Sequence, residues 1–157
     1  MFNLIDTRDV IEDSWVRLAD DEALNKQSRV IVSLSRLKRE GLKIKNTGLE
    51  LAVELEPDAL VSDLSAFIED LQLVVLQFES FADGRAFSQA KLLRDRYHYS
   101  GEIRATGEVI RDQLGFMQRC GFSQFEIAKN DDSQLALQAF AEITHGYQAD
   151  LIRSVNH

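Results

Sequence analysis

Hydrophobic and polar positions change period several times along this chain. Leu49, Leu51, Val53 and Leu55 alternate with Glu50, Ala52 and Glu54, the period-two signature of a half-exposed strand. Pro57 ends it. Leu60, Leu64, Phe67, Ile68 and Leu71 follow at helical spacing and predict an apolar stripe. Leu73 to Leu76 is continuously apolar, as expected of a strand covered on both faces. Ala86, Ala90, Leu93 and Tyr97 share the next helical face, with Phe87 beside them. Glu102 to Ala105 predicts a shorter strand. Val109, Ile110, Leu114, Met117 and Cys120 make a further helical stripe, with Gly121 where a left-handed C-cap residue sits. Phe122 to Ile127 reads as a last strand. Ser133 is placed to cap a final helix bearing Ala136, Ala139, Phe140 and Ile143, stopped by Gly146, and the tail to His157 reads as irregular.

Upstream the pattern is less regular. Phe2 to Ile5 and Ser14 to Leu18 are short apolar segments around a polar turn and predict a hairpin within an arm over residues 1–20. Val30-Ile31-Val32 predicts a strand, Ser33 to Glu40 a short helix ending at Gly41, and Lys43 to Gly48 a loop. The order from residue 49 to 146 is then four β-α repeats. Such alternation implies parallel strands joined by right-handed crossovers. The units are too few for a closed eight-stranded barrel. The expectation is one α/β domain over residues 1–157, an open, mostly parallel sheet with the N-terminal hairpin or arm along one edge.

Composition narrows the function classes. A net charge of −8 and a pI near 4.9 argue against a nucleic-acid partner or an anionic membrane surface. One cysteine, Cys120, excludes an intrachain disulfide, and with only three histidines it limits metal chemistry, since one copy of the chain cannot build a four-cysteine site. The N-terminus lacks the basic start and long apolar run of a signal peptide, and no stretch is long enough to span a bilayer, so a cytoplasmic protein is expected. No dinucleotide fingerprint, phosphate loop, zinc-protease motif or nucleophile elbow is present, and no cofactor is recognisable.

Two charged turns remain as candidate sites. Asp83-Gly84-Arg85 falls at a predicted strand-to-helix turn, with Asp83 as N-cap and Arg85 against the helix dipole, a place that asks for an acid or an anion. In Arg104-Ala105-Thr106-Gly107-Glu108, Thr106 is the expected cap, Gly107 and Glu108 suit the first turn, and Arg111 follows one turn in. Arg85, Arg104 and Arg111 on one sheet rim would hold an anion, with Asp83 and Glu108 orienting them or acting as acid or base. The plainer reading of both turns is a capped helix with local ion pairs. Charge is also polarised: Glu54 to Asp83 holds eight acids and no Lys or Arg, whereas Arg85 to Arg119 holds seven basic residues. His98, in a turn between two tyrosines, and His145, beside Gly146, read as structural. Cys120 reads as a buried, inert thiol.

These turns also carry a resemblance. Asp83, Gly84, Arg85, Ser88, Ala90, Leu93 and Arg94 form one run. Gly101, Glu102, Arg104, Ala105, Gly107, Arg111, Asp112 and Gln113 form a second, and Arg119, Cys120, Gly121 and Phe122 complete the set. Together they resemble the bacterial family DUF934, a domain of unknown function. Its members are often described as oxidoreductases of sulfite reduction. The resemblance implies a role in assimilatory sulfite reduction, with a sulfite reductase or another sulfate-assimilation enzyme as partner. Three readings stay open: an accessory protein that binds a reductase and a small anion, an enzyme using Asp83 or Glu108 on a phosphate- or sulfate-bearing metabolite, and a structural homo-oligomer stitched by its arginines.

Overall fold

The computed structural model describes residues 2–24, 28–80 and 82–141. Eight strands form one sheet: β1 (Phe2–Ile5), β2 (Val10–Ile11), β3 (Val16–Arg17), β4 (Arg29–Ser33), β5 (Glu50–Leu55), β6 (Leu71–Phe78), β7 (Glu102–Gly107) and β8 (Gln124–Ala128). Their spatial order is β2-β1-β8-β7-β6-β5-β4-β3. Strands β3 to β8 are parallel and β1 and β2 antiparallel, so the expected mostly parallel α/β sheet is present.

The run from β4 to β8 never reverses direction, and right-handed crossovers in one direction place every helix on the same face. One core forms between that face and the helices α1 (Leu34–Asn46), α2 (Arg85–Lys91), α3 (Leu114–Cys120) and α4 (residues 133–141). It joins Leu37, Ile44, Ala90, Leu93 and Met117 to Val32, Val53, Val74, Leu76, Ile103 and Phe125. The opposite face has its own buried cluster, in which Trp15 packs with Ile31, Ala52, Leu73 and Val75.

The N-terminal arm departs from the expected hairpin. β1 pairs with β2 around a turn built by Asp6, whose Oδ1 accepts the amides of Arg8 at 2.7 Å and Asp9 at 2.8 Å. Ser14 to Leu18 goes instead to the far edge, where β3 pairs with β4. In a flat sheet those two edges would lie seven strand spacings apart, roughly 34 Å. The step from Ile11 to Val16 can span only about 17 Å. The sheet is therefore curled, and residues 12–15 cross its concave side as a strap.

Other departures have local causes. The first helix runs through Gly41 and takes in Lys43 to Asn46, the predicted loop. A Cβ at Gly41 would lie 2.6 Å from the Phe67 ring, so this glycine is a packing notch and not a stop. Phe67 fills that notch, and the predicted helix over Leu60–Leu71 is replaced by two 3₁₀ turns, Val61–Leu64 and Ile68–Asp70. The second helix continues as a π turn over Leu92–Arg96. Asp132, not Ser133, caps α4, its Oδ1 accepting the amides of Gln134 and Leu135. Gly121, at φ 118°, ends α3 as expected. His145, Gly146 and the tail lie outside the described residues. No helix among the described residues is long and apolar enough to cross a membrane.

Because Trp15 is the largest side chain of the buried concave cluster, Trp15→Ala is expected to cost about 3–5 kcal/mol of stability, read by urea denaturation followed by circular dichroism.

Candidate functional site

In β6, β7 and β8, single polar side chains sit between apolar neighbours: Gln77, Arg104, Thr106 and Glu126. Period two sends the apolar neighbours to the helix layer and these groups to the concave face. The register sets Arg104 beside Val75 and Gln124, and Thr106 beside Gln77. Glu54 of β5 joins them through Gln77, whose Nε2 donates to its Oε2 at 2.6 Å.

The strap, with Asp13, and β3, with Arg17, supply the remaining charges. Arg17 donates from Nε to Glu54 at 2.8 Å and from Nη2 to Glu126 at 2.6 Å. Arg104 is fully buried. Its Nη1 and Nη2 each lie 3.3 Å from an oxygen of Asp13, Nη1 is also 3.3 Å from Glu126, and Nε donates to Gln124 at 3.0 Å. Thr106 donates its hydroxyl to Glu126 at 2.6 Å. Burial would lower the pKa of Arg17, but hydrogen bonds to Glu54 and Glu126 outweigh it and the value ends raised. Two arginines thus converge on Glu126, inside a network that joins β3, β5, β6, β7 and β8.

This network borders a cavity of about 620 Å³ at the C-terminal ends of β4, β5 and β6, lined by Arg17, Ser33, Lys38, Glu54, Asp58 and Gln77 among others. The strand order has no reversal, so there is no switch-point crevice of the doubly wound kind. The mouth of the curled sheet takes its place, as in barrels of parallel strands.

The predicted site residues divide. The loops after β6 and β7 do meet, Glu108 donating its amide to the Phe78 carbonyl at 2.9 Å. Thr106 caps no helix, however. The pairing of Phe78 with Gly107 carries β7 through it, and the next helical turn begins only at Arg111. Gly107 has φ 92°, and a Cβ there would lie 2.3 Å from the Phe78 carbonyl oxygen, so the position serves chain reversal. Arg85 stands at the exposed start of α2, 2.7 Å from Asp83 and 3.3 Å from Glu79. Arg104 points to the other side of the sheet, so the structure does not bring Arg85 and Arg104 to one rim. Arg111 is exposed beside a separate cavity of about 320 Å³ that Asp131 and Asp132 also line. Glu108 is exposed.

Asp83 accepts the side chain and the amide of Arg85, and these hydrogen bonds lower its pKa from 3.8 to about 2. Cys120 is buried, which raises its thiol pKa against the opposing pull of Lys91 and Arg119. His98 is exposed with φ 52°. No group of three or more metal-ligating side chains occurs among the described residues. Arg94 of the family run is a structural tie: its guanidinium donates to the carbonyls of Tyr99, Gly101 and Gly121 at 2.6–3.1 Å. The residues that sequence reading missed are Asp13, Arg17, Glu54, Gln77 and Glu126. For all but Asp13, which lies in the strap between Glu12 and Ser14, the signal was a lone polar group between two strand hydrophobics.

An α/β protein with a one-directional, curled parallel sheet and a polar mouth is the class these features define. Residues 52–156 match the family described as bacterial protein of unknown function (DUF934), and the chain belongs to that family. No curated protein matches it.

Removing Glu126 takes one carboxylate partner from each of two guanidinium groups, one of them fully buried. Glu126→Ala is expected to cost about 3 kcal/mol in chemical denaturation. In Arg85→Ala, NMR titration is expected to show the Asp83 carboxyl ionising closer to 3.8 than to 2. An unchanged value would remove Arg85 as the cause.

Proposed function

We propose that this chain is an accessory protein of assimilatory sulfite reduction that docks a reductase at the carboxylate-lined mouth of its curled sheet. The pathway comes from what the family resemblance implies. The docking mode comes from the distribution of charge at the mouth.

One observation carries it. The cations there are already engaged, Arg17 by Glu54 and Glu126 and Lys38 by Asp63 at 3.0 Å. Glu56 and Asp58 are exposed and make no ion pair with any described residue, and Leu60 beside them is 64% exposed. Exposed carboxylates outside any ion pair, around an apolar side chain, complement a basic surface with an apolar recess, and such charge sets on-rate and partner choice. Two of the three arginines expected to hold a free anion, Arg85 and Arg104, are bound by carboxylates, which favours docking over anion capture. The enzyme reading needs a carboxylate free of salt bridges in a concave setting. Asp83 is bridged by Arg85, and Glu108 is exposed.

The test is association with the assimilatory sulfite reductase of the same bacterium, measured at low and high salt. The wild type is expected to bind at low salt and to weaken as salt screens the rim. Glu56→Lys with Asp58→Lys is expected to weaken binding at least about tenfold, mostly through association rate. Equal binding by both proteins, or none by either, would end the proposal.

A further inference from the structure

We propose that the guanidinium of Arg104 is a latent binding site for a small oxyanion, and that the carboxylate of Asp13 occupies it in the resting chain. Asp13 sets Oδ2 against Nη1 and Oδ1 against Nη2, both at 3.3 Å. Two oxygens facing two terminal nitrogens is the arrangement in which arginine takes a free carboxylate, sulfite or sulfate. The carboxylate is thus an intramolecular stand-in for such a ligand.

The attachments of the two partners differ. Arg104 is held by the sheet itself, through Gln124 and Glu126 of β8. Asp13 belongs to no strand. It lies in the strap, whose following strand β3 is only two residues long and pairs with β4 at Val16 and Arg17. Charge counting points the same way. With Asp13 removed, Arg17 and Arg104 are balanced by Glu54 and Glu126. The Arg104 edge would nevertheless lose both contacts to Asp13 while fully buried, and a buried donor without a partner is costly. An oxyanion of matching size restores both contacts. Because Arg104 is inaccessible under the strap, a ligand of the wild type has to displace Asp13, which lowers its apparent affinity by the fraction of chains in which the strap is open.

This inference is independent of docking at the mouth. Glu56 and Asp58 lie on the exposed rim, whereas Arg104 lies beneath the strap, so the two can fail separately.

Asp13→Ala vacates the site. Melting temperature and the fluorescence of Trp15, the chain's one tryptophan, are followed during titration with sulfite, sulfate and formate. Chloride at matched ionic strength is the control. Trp15 stacks 4.3 Å from the Arg29 guanidinium within the strap region, so its emission reports strap position. Asp13→Ala is expected to gain melting temperature saturably, with half-saturation at least tenfold below that of the wild type. Adding Arg104→Met is expected to abolish the gain. A preference for sulfite or sulfate over formate assigns a sulfur oxyanion, and the reverse assigns a carboxylate. A gain no larger than that from chloride, or one that survives Arg104→Met, overturns the proposal. Should Asp13→Ala be unfolded in buffer, recovery of native circular dichroism with an oxyanion but not with chloride supports the site, and failure to recover overturns it.

Discussion

Glu126 is the point on which the concave side of this molecule depends. It receives Arg17 from one edge of the curl and Arg104 and Thr106 from the strand beside it. Charges brought this far out of water repay little net stability, since desolvation offsets most of their attraction. What they fix is geometry. An arginine on β3 can meet a glutamate on β8 only if the sheet bends until its two margins face each other. The strap's hydrogen bonds, the position of Trp15 and the cavity at the mouth all presuppose that bend.

The helix side was legible because it obeys simple periodicity. The strands at β5 to β8 and the stripe of α2 fell where apolar spacing put them, the stripe of α3 did so from Leu114 on but not at Val109 and Ile110, and Gly121 ended α3 as its backbone freedom requires. Where the reading erred, a distant partner had overridden local preference. Gly41 looks like a helix stop until Phe67 is found filling its missing side chain. The Leu60–Leu71 stripe looks helical, yet Phe67 is drawn toward α1 and the segment shortens to 3₁₀ turns. The arm was misread for the same reason. The strand partner of Ser14 to Leu18 lies beside residue 30, and its ionic partners across the curl, so it forms no ladder with residues 2 to 5.

The site was legible only in part. Arg104 stood out as a charged residue in a strand, but local context suggested a rim cation beside a helix start. Its true setting depends on Asp13, 91 residues earlier, and on a register with β8 that no local pattern encodes. Arg85 was the converse case: the plainer of its two readings, a local pair with Asp83 and Glu79, is what the geometry contains. The turns that carry the family resemblance therefore split between an exposed capping pair, a buried ionic centre and, at Arg94, a staple of backbone carbonyls.

The separation in sequence between the strap and its partners also bears on biosynthesis. Arg17 reaches Glu126 across 109 residues, and β1 pairs with β8. During synthesis β1 thus lacks its partner β8 until residues 124–128 have been made. Strands β4 to β7 can accrete in order, each on the one before. β3 and Trp15 find partners earlier, on β4 and its neighbours, whereas one edge of β1 stays unpaired. Closure is then a single late event that tests whether the whole sheet has assembled, and a chain stalled before Gln124 would present an open, sticky trough to the quality-control machinery of the cell.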